Sequence, residues 1–117
     1  MIKSKTGVWG EIYAARYFRA KGCKILCANY VCRFGELDLV IENDGKVCVV
    51  EVKTRNCNTE ISPMEAVDEG KQERLRMATK SYLSYAKMIC NVRFDVCEVL
   101  VDDNNMPVRI NYIENAF

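Results

Sequence analysis

The fold is decided by the stretch Gly35–Lys53, which runs GELDLVIENDGKVCVVEVK. Two apolar runs flank Asp44-Gly45, and Asp-Gly at the centre of a two-residue turn is a strong β-hairpin signal because both positions favour a positive φ. The runs are rich in Val, Ile and Leu, as is typical of strands that are buried on both faces. We therefore predict a hairpin in which Gly35 to Glu42 pairs with Lys46 to Lys53.

The register of this hairpin brings charged side chains together. If Asp44-Gly45 form the turn, Asp38 lies opposite Glu51 and Glu36 lies opposite Lys53, and strand alternation puts all four on one face. Facing carboxylates are destabilising unless something compensates them. A Mg²⁺ or Mn²⁺ cofactor suits such oxygen ligands, and an adjacent lysine could orient an attacking water or stabilise developing negative charge.

The same residues also have a simpler interpretation. Asp38, Glu51, Lys53 and Arg55 could form an ordinary ion-pair ladder at the rim of a sheet, as charged pairs on solvated faces commonly do. Spacing within the hairpin does not decide between this ladder and a metal site.

The rest of the chain supplies the elements around the hairpin. Apolar periodicity predicts a helix from Thr6 to Lys21, and a strand from Cys23 to Tyr30 follows. A capping box, Ser62-Pro63-Met64-Glu65, predicts a second helix that runs to Lys87, with a break at Gly70. Strands are predicted for Asn91 to Asp102 and for Val108 to Ile113, the latter at a sheet edge. The expected fold class is α/β, an α-β-β-β-α-β core with a mixed central sheet flanked by helices, in a single domain over residues 1–117.

Composition limits the kinds of active site and the cellular location that the chain can have. The 117 residues carry a net charge of +1 and no histidine, which excludes His-dependent nucleophilic sites and His-ligated zinc. No apolar run reaches the roughly 20 residues of a membrane span, and Met1 to Gly10 lacks the apolar core of a signal peptide. We therefore expect a cytoplasmic protein with no membrane association.

Seven cysteines form no CxxC pair or zinc-ribbon pattern. Cys48, Cys90 and Cys97 have apolar neighbours and are expected to act as small buried hydrophobic residues. The alternative is an iron–sulfur or zinc site built from Cys23, Cys27, Cys32 and Cys57, although their spacing fits no standard framework.

Five sequence segments together resemble one bacterial family. They are Gly10-Glu11-Ile12-Tyr13-Ala14-Ala15, Phe34-Gly35-Glu36-Leu37-Asp38-Leu39-Val40, Val50-Glu51-Val52-Lys53-Thr54-Arg55, Ala66-Val67-Asp68 followed by Lys71, and Arg93-Phe94-Asp95-Val96. Over roughly Thr6 to Val99 the chain resembles the YraN-like family of uncharacterised proteins. That family is similar to archaeal Holliday junction resolvases, within the PD-(D/E)XK nuclease superfamily.

The resemblance implies a restriction-endonuclease-like fold, a resolvase-like nuclease domain and Mg²⁺-dependent cleavage of a nucleic-acid backbone. It implies that Asp38 and Glu51, with the Val52 carbonyl and the helix-borne Glu11, bind the metal, and that Lys53 positions the attacking water. No proline precedes Asp38, which departs from the superfamily's name motif.

The expected substrate is DNA, possibly branched, with Arg33, Arg55, Lys71 and Arg74 as candidate phosphate contacts. The symmetry of a four-way junction and the resemblance together suggest a homodimer. Two alternatives remain: a catalytically inactive nucleic-acid-binding module of the same fold, and a partner-binding scaffold.

Overall fold

The computed structural model describes residues 4–59 and 67–117. The elements in chain order are α1 Lys5–Ala20, β1 Lys24–Cys32, β2 Gly35–Asn43, β3 Lys46–Asn56, α2 Glu69–Ala86, β4 Val92–Val101 and β5 Pro107–Ile113. The strands form one five-stranded sheet in the order β1-β2-β3-β4-β5. Only the β3–β4 pair is parallel, so the predicted mixed sheet and α-β-β-β-α-β core are confirmed.

The two helices cover opposite faces of the sheet. Tyr13, Ala14 and Phe18 of α1 pack with one set of strand side chains, whereas Leu75, Ala78 and Tyr82 of α2 pack with the other set. Because β2 and β3 contribute to both cores, their near-continuous apolar sequences are explained by burial on both faces.

The predicted β2–β3 hairpin is confirmed in its turn and in most of its register. Asp44 and Gly45 have φ values of +51° and +77°, as the Asp-Gly turn requires. Residues pair from Asn43–Lys46 to Leu39–Val50, which is the predicted register. The ladder ends there, one step before the predicted Asp38–Glu51 pair.

Side chains of β2 also stop alternating regularly between the two faces of the sheet beyond Leu39. Leu39 lies in the core under α1, but Leu37 lies in the core under α2, although residues two apart on a regular strand share a face. The expectation that every charged side chain of the hairpin lies on one face therefore does not follow beyond Leu39. The strands separate where the carboxylates begin.

The start of α2 differs from the sequence prediction. Asp68 is its N-cap, and its side chain accepts a hydrogen bond from the Lys71 backbone N–H at 2.8 Å. Gly70 lies inside the helix and does not break it. The capping box Ser62-Pro63-Met64-Glu65 lies outside the described residues.

The cysteines are free thiols. Cys48 and Cys97 are buried, as predicted, but Cys90 is exposed, so that prediction was wrong. Cys90 lies in the segment between α2 and β4, where its apolar neighbour Ile89 is also exposed. Sequence neighbours alone cannot reveal that a connection leaves the core.

The alternative thiol-ligated metal site is not assembled. Cys23 belongs to the core on the α1 side of the sheet, whereas Cys27 and Cys32 pack on the α2 side. Among the residues that the structure describes, the potential ligand groups that come together are carboxylates and include no thiol.

The buried carboxylate of Asp95 on β4 forms a hydrogen bond with the segment that follows β5. Asp95 is fully buried and accepts hydrogen bonds from the Arg93 guanidinium at 2.9 and 3.0 Å and from the Asn115 backbone N–H at 2.8 Å. The Tyr112 hydroxyl also donates to it. Since charge and hydrogen bonds compensate the burial, Asp95 has a structural role.

In the described part of the chain, neither helix has the length and apolar character that crossing a bilayer requires.

Candidate active site

A glycine brings α1 against the sheet next to the point where β2 and β3 separate. Gly10 is buried, and a Cβ added to it would lie 1.7 Å from Thr54 Oγ1 and 2.7 Å from Thr54 Cβ. Only a residue without a side chain permits this approach. The close contact places Glu11, the next residue of α1, at the rim of the sheet.

Three carboxylates meet in this position. Glu11 of α1 and Glu36 and Asp38 of β2 each offer an oxygen, and these oxygens lie within 4.8 Å of one another. Glu11 and Glu36 are half-buried. We call these three residues the acidic cluster. Carboxylate oxygens at such spacing suit a hard divalent cation such as Mg²⁺ or Mn²⁺.

Asp38 links the acidic cluster to β3. Its Oδ2 accepts a hydrogen bond from the Val52 backbone N–H at 2.8 Å, so its side chain bridges the gap beyond the end of the β2–β3 ladder. The N–H and C=O of a strand residue point to the same side. The Val52 carbonyl therefore faces the same gap, as its predicted ligand role requires.

Glu51 lies beside Asp38, toward α2. It is buried, and its Oε1 is 2.6 Å from the Lys71 Nζ. Burial is the main cause that raises the pKa of Glu51 to about 7, and the negative charge of Asp38 is the second; the Lys71 ammonium opposes both. The geometry thus brings Asp38 and Glu51 together, although by a broken ladder and not by a regular cross-strand pair.

A pocket of about 360 Å³ opens over these groups. Its lining includes Glu11, Glu36, Asp38, Glu51 and Val52, together with Ser4, Gly7, Phe34, Gly35, Lys71, Arg74 and Leu75. Ser4 caps α1 and accepts from the Gly7 N–H at 3.0 Å, so the N-terminal end of α1 faces the pocket. Helix N-termini carry partial positive charge. The pocket therefore has an acidic floor and positive groups on its walls.

The candidate phosphate-binding residues divide into two groups. Arg74 and Lys71 line the pocket, and Arg33 lies exposed in the turn beside its wall. Arg55 is instead ion-paired with Glu98 at 3.4 Å, and its side chain is only 14% exposed. Arg55 is not among the described residues that line the pocket, and its role as a phosphate contact stays a prediction.

Lys53 lies two residues beyond Glu51 on β3 and is half-buried. Its register partner on β4 is Glu98, and it is not among the described residues that line the pocket. Its predicted role in positioning water stays a prediction.

The sequence places Glu36 on the charged face but gives no signal that it belongs to the metal site. No sequence pattern indicates that Phe34 lies in the pocket wall. Lys71 is predicted as a phosphate contact, whereas in the structure its ammonium pairs with Glu51. The Lys71 pairing depends on how α2 packs across β3, which no local motif signals.

The sequence model of the family described as "Uncharacterised protein family UPF0102" matches residues 10–99. The chain belongs to the UPF0102 family. The match spans Gly10 and Glu11 on α1, all of the β2–β3 hairpin and α2, so every residue of the acidic cluster lies within it.

Individual UPF0102 proteins align over nearly the whole chain. A UPF0102 protein of Syntrophomonas wolfei is 46% identical over 117 residues, covering 99% of this chain and 100% of its own length. One of Pelotomaculum thermopropionicum is 40% identical over 112 residues, 95% of this chain and 93% of its own. One of Clostridium acetobutylicum is 36% identical over 117 residues, 99% of this chain and 96% of its own.

Proposed function

We propose that this UPF0102 protein is a metal-dependent endonuclease that hydrolyses phosphodiester bonds in DNA, with branched DNA as a substrate. The observation that carries the proposal is the convergence of Glu11, Glu36 and Asp38 from two elements to within 4.8 Å, beside a buried fourth acid, Glu51. Carboxylate oxygens gathered at this spacing are the donor set that a hard divalent cation prefers.

The acidic cluster fits Mg²⁺ or Mn²⁺ by its donor set. Glu11, Glu36 and Asp38 would hold the ion, with Glu51 and the Val52 carbonyl adjacent. When bound, such an ion would neutralise charge on the phosphate and favour attack by water.

The chain's own residues would supply orientation and charge. Asp38 is fixed by the Val52 N–H, and Lys71 restrains Glu51; restrained groups need little reorganisation during the reaction. Arg74, Lys71 and the N-terminus of α1 would attract the phosphate backbone toward the acidic floor. Lys53 would position the attacking water or stabilise the negative charge that develops on the phosphate.

A homodimer would complete the proposal for branched substrates. A four-way junction presents two related strands, and a C2 dimer would present two such pockets in matching orientation. The mass of the protein in solution, measured by light scattering at assay concentration, tests this part separately; a single-chain mass would contradict it.

The function is tested by incubating a four-way DNA junction and a linear duplex with Mg²⁺ and with EDTA. We expect Mg²⁺-dependent cutting that falls about 100-fold or more in Asp38→Asn and Glu11→Gln. Glu42→Gln is the matched control because Glu42 lies at the other end of β2, next to the turn and paired with Lys24 of β1. It should cut like the unchanged protein.

Three outcomes would contradict the proposal. Salt-sensitive DNA binding without metal-dependent cutting would support a catalytically inactive nucleic-acid-binding module. Absence of both binding and cutting would favour a partner-binding scaffold. Cutting that is unchanged in Asp38→Asn would show that a contaminating nuclease is responsible.

A further inference from the structure

The turn between β1 and β2 forms one wall of the pocket. Cys32 pairs with Gly35, which leaves only Arg33 and Phe34 to connect the strands. Gly35 has a φ of +144°, a conformation that side-chain-bearing residues rarely adopt. The tight turn therefore fixes where the Phe34 ring lies.

Phe34 is held between the core and the pocket. Its ring packs against the core under α2 and lines the same pocket as Glu36 and Asp38. The exposed Arg33 guanidinium lies 4.7 Å from the centroid of this ring. An aromatic ring with an adjacent planar cation thus stands within the same pocket as the acidic cluster.

Positive groups from α2 face this turn across the acidic floor, because Lys71 and Arg74 line the same pocket. Proteins that hold single-stranded nucleic acid combine cations that follow the phosphates with aromatic rings on which bases stack. A paired base inside a duplex is covered on both faces by its neighbours, so only an unpaired base can offer its face to the Phe34 ring and the Arg33 guanidinium that lies over it.

We propose that the Arg33-Phe34 turn stacks an unpaired base next to the phosphate that reacts. This inference rests on the proposed nuclease function and narrows its substrate class to nucleic acid that is unpaired at the cleavage position, such as a single strand, a flap or a branch point. Phe34 is then a specificity-determining residue, and Arg33 contributes the adjacent cation.

The test compares binding of a single-stranded DNA of about 12 nucleotides with binding of its duplex, with Ca²⁺ replacing Mg²⁺ so that binding is measured apart from cutting. Phe34→Leu keeps an apolar side chain against the core but removes the aromatic face. We expect it to weaken single-strand binding about 5- to 100-fold, the equivalent of one stacked base, and to change duplex binding less than about twofold. Phe34→Trp should retain single-strand binding.

Tyr85→Leu is the matched control, because Tyr85 is 76% exposed on α2 and is not among the described residues of the pocket. It should bind both DNAs as the unchanged protein does. Equal losses for the two DNAs in Phe34→Leu, or no loss for either, would overturn the inference. A 2-aminopurine in the strand should lose fluorescence on binding through stacking, and Phe34→Leu should restore that fluorescence.

These results are separable from the nuclease test. Metal-dependent cutting that is indifferent to Phe34 and equally fast on duplex would refute the stacking role while leaving the nuclease function intact. Single-strand binding that depends on Phe34, with no cutting under any metal, would refute the nuclease function while leaving the stacking role in place.

Discussion

Lys71 reaches from the first turn of α2 to Glu51 on β3, and its Nζ lies 2.6 Å from the Glu51 Oε1. The lysine side chain is 40% exposed, whereas that of Glu51 is 8% exposed. This ion pair only partly offsets the cost of enclosing the carboxylate beside Asp38, since burial and the Asp38 charge still raise the pKa of Glu51 to about 7. At neutral pH Glu51 is therefore only partly ionised, and a cation that entered the pocket would favour its ionised form.

The raised pKa of Glu51 makes the stability of the metal-free protein depend on pH. Between the usual value of 4.5 and about 7, the unfolded chain loses this proton while the folded protein keeps it, so stability falls as pH rises through that window. We expect Glu51→Gln, which resembles the protonated acid, to raise the free energy of unfolding at pH 8 by about 1–3 kcal/mol and to change it little at pH 5. Urea unfolding in EDTA measures both values.

The control for this prediction is Glu42→Gln, which removes a carboxylate at the other end of the hairpin, paired with Lys24 of β1, and should not reproduce the stabilisation at pH 8. A Glu51→Gln variant that is less stable than the unchanged protein at pH 8 would show that the Lys71 ion pair outweighs burial and Asp38.

Lys53 is expected to act on the reaction and not on metal binding. Because a positive charge near the phosphate stabilises the transition state more than the ground state, Lys53→Ala should lower the cleavage rate about 100- to 1,000-fold. Its affinity for Mn²⁺, measured by calorimetry, should stay within about twofold of the unchanged protein. Lys46→Ala, in the exposed hairpin end, is the matched control and should alter neither quantity. A parallel loss of Mn²⁺ affinity in Lys53→Ala would contradict this division of roles.

Gly10 is expected to be intolerant of any side chain. A Cβ at this position would overlap Thr54, with its nearest atom at 1.7 Å, so Gly10→Ala should lower the free energy of unfolding by about 1–3 kcal/mol through overpacking. Gly7→Ala is the control on the same helix, because among the described residues its Cβ would meet Ser4 Oγ at 3.2 Å, a side-chain atom that has to shift by only a few tenths of an ångström, and alanine favours helix by up to about 1 kcal/mol. Equal effects of the two substitutions in urea unfolding would argue against the close α1–β3 contact.

The sequence predicts the fold well because its signals are local. The Asp44-Gly45 turn, the apolar strands on each side and the helical periodicity of α1 each act within a few residues, and the structure confirms all three. The predicted register of the hairpin does not continue past Leu39, since Leu37 packs under α2 while Leu39 packs under α1. Alternation assumes a continuous ladder, which the structure does not have at that point.

The site depends on contacts between distant segments, which local patterns do not encode. Glu11 reaches the hairpin only because Gly10 allows α1 to touch Thr54. The family resemblance, and not periodicity, supplied Glu11 as a candidate. The Lys71–Glu51 pair likewise depends on the packing of α2 against the sheet. The sequence therefore identifies Lys71 as a candidate cation but does not show that it pairs with Glu51.

The buried thiols are expected to be chemically inert. Burial raises the pKa of Cys97 to about 12, and burial followed by the charge of Asp95 raises that of Cys48 to about 11, from 9.0 for an ordinary thiol. Because the thiolate is the reactive form, iodoacetamide at pH 8 should modify the exposed Cys90 at least about 100-fold faster than either. Peptide mass spectrometry after short exposure measures the rates, and all three should react alike in urea. Fast native labelling of Cys48 or Cys97 would contradict the described packing.

Glu11, Glu36 and Asp38 are proposed to hold one divalent cation together. An anomalous difference map from a crystal of the protein soaked in Mn²⁺ tests this claim. We predict one strong peak within ligand distance of about 2.0–2.3 Å from oxygens of all three carboxylates, and its loss in a crystal of Asp38→Asn. Strong Mn²⁺ peaks only elsewhere, or an acidic cluster that stays without Mn²⁺ at millimolar concentration, would contradict the claim.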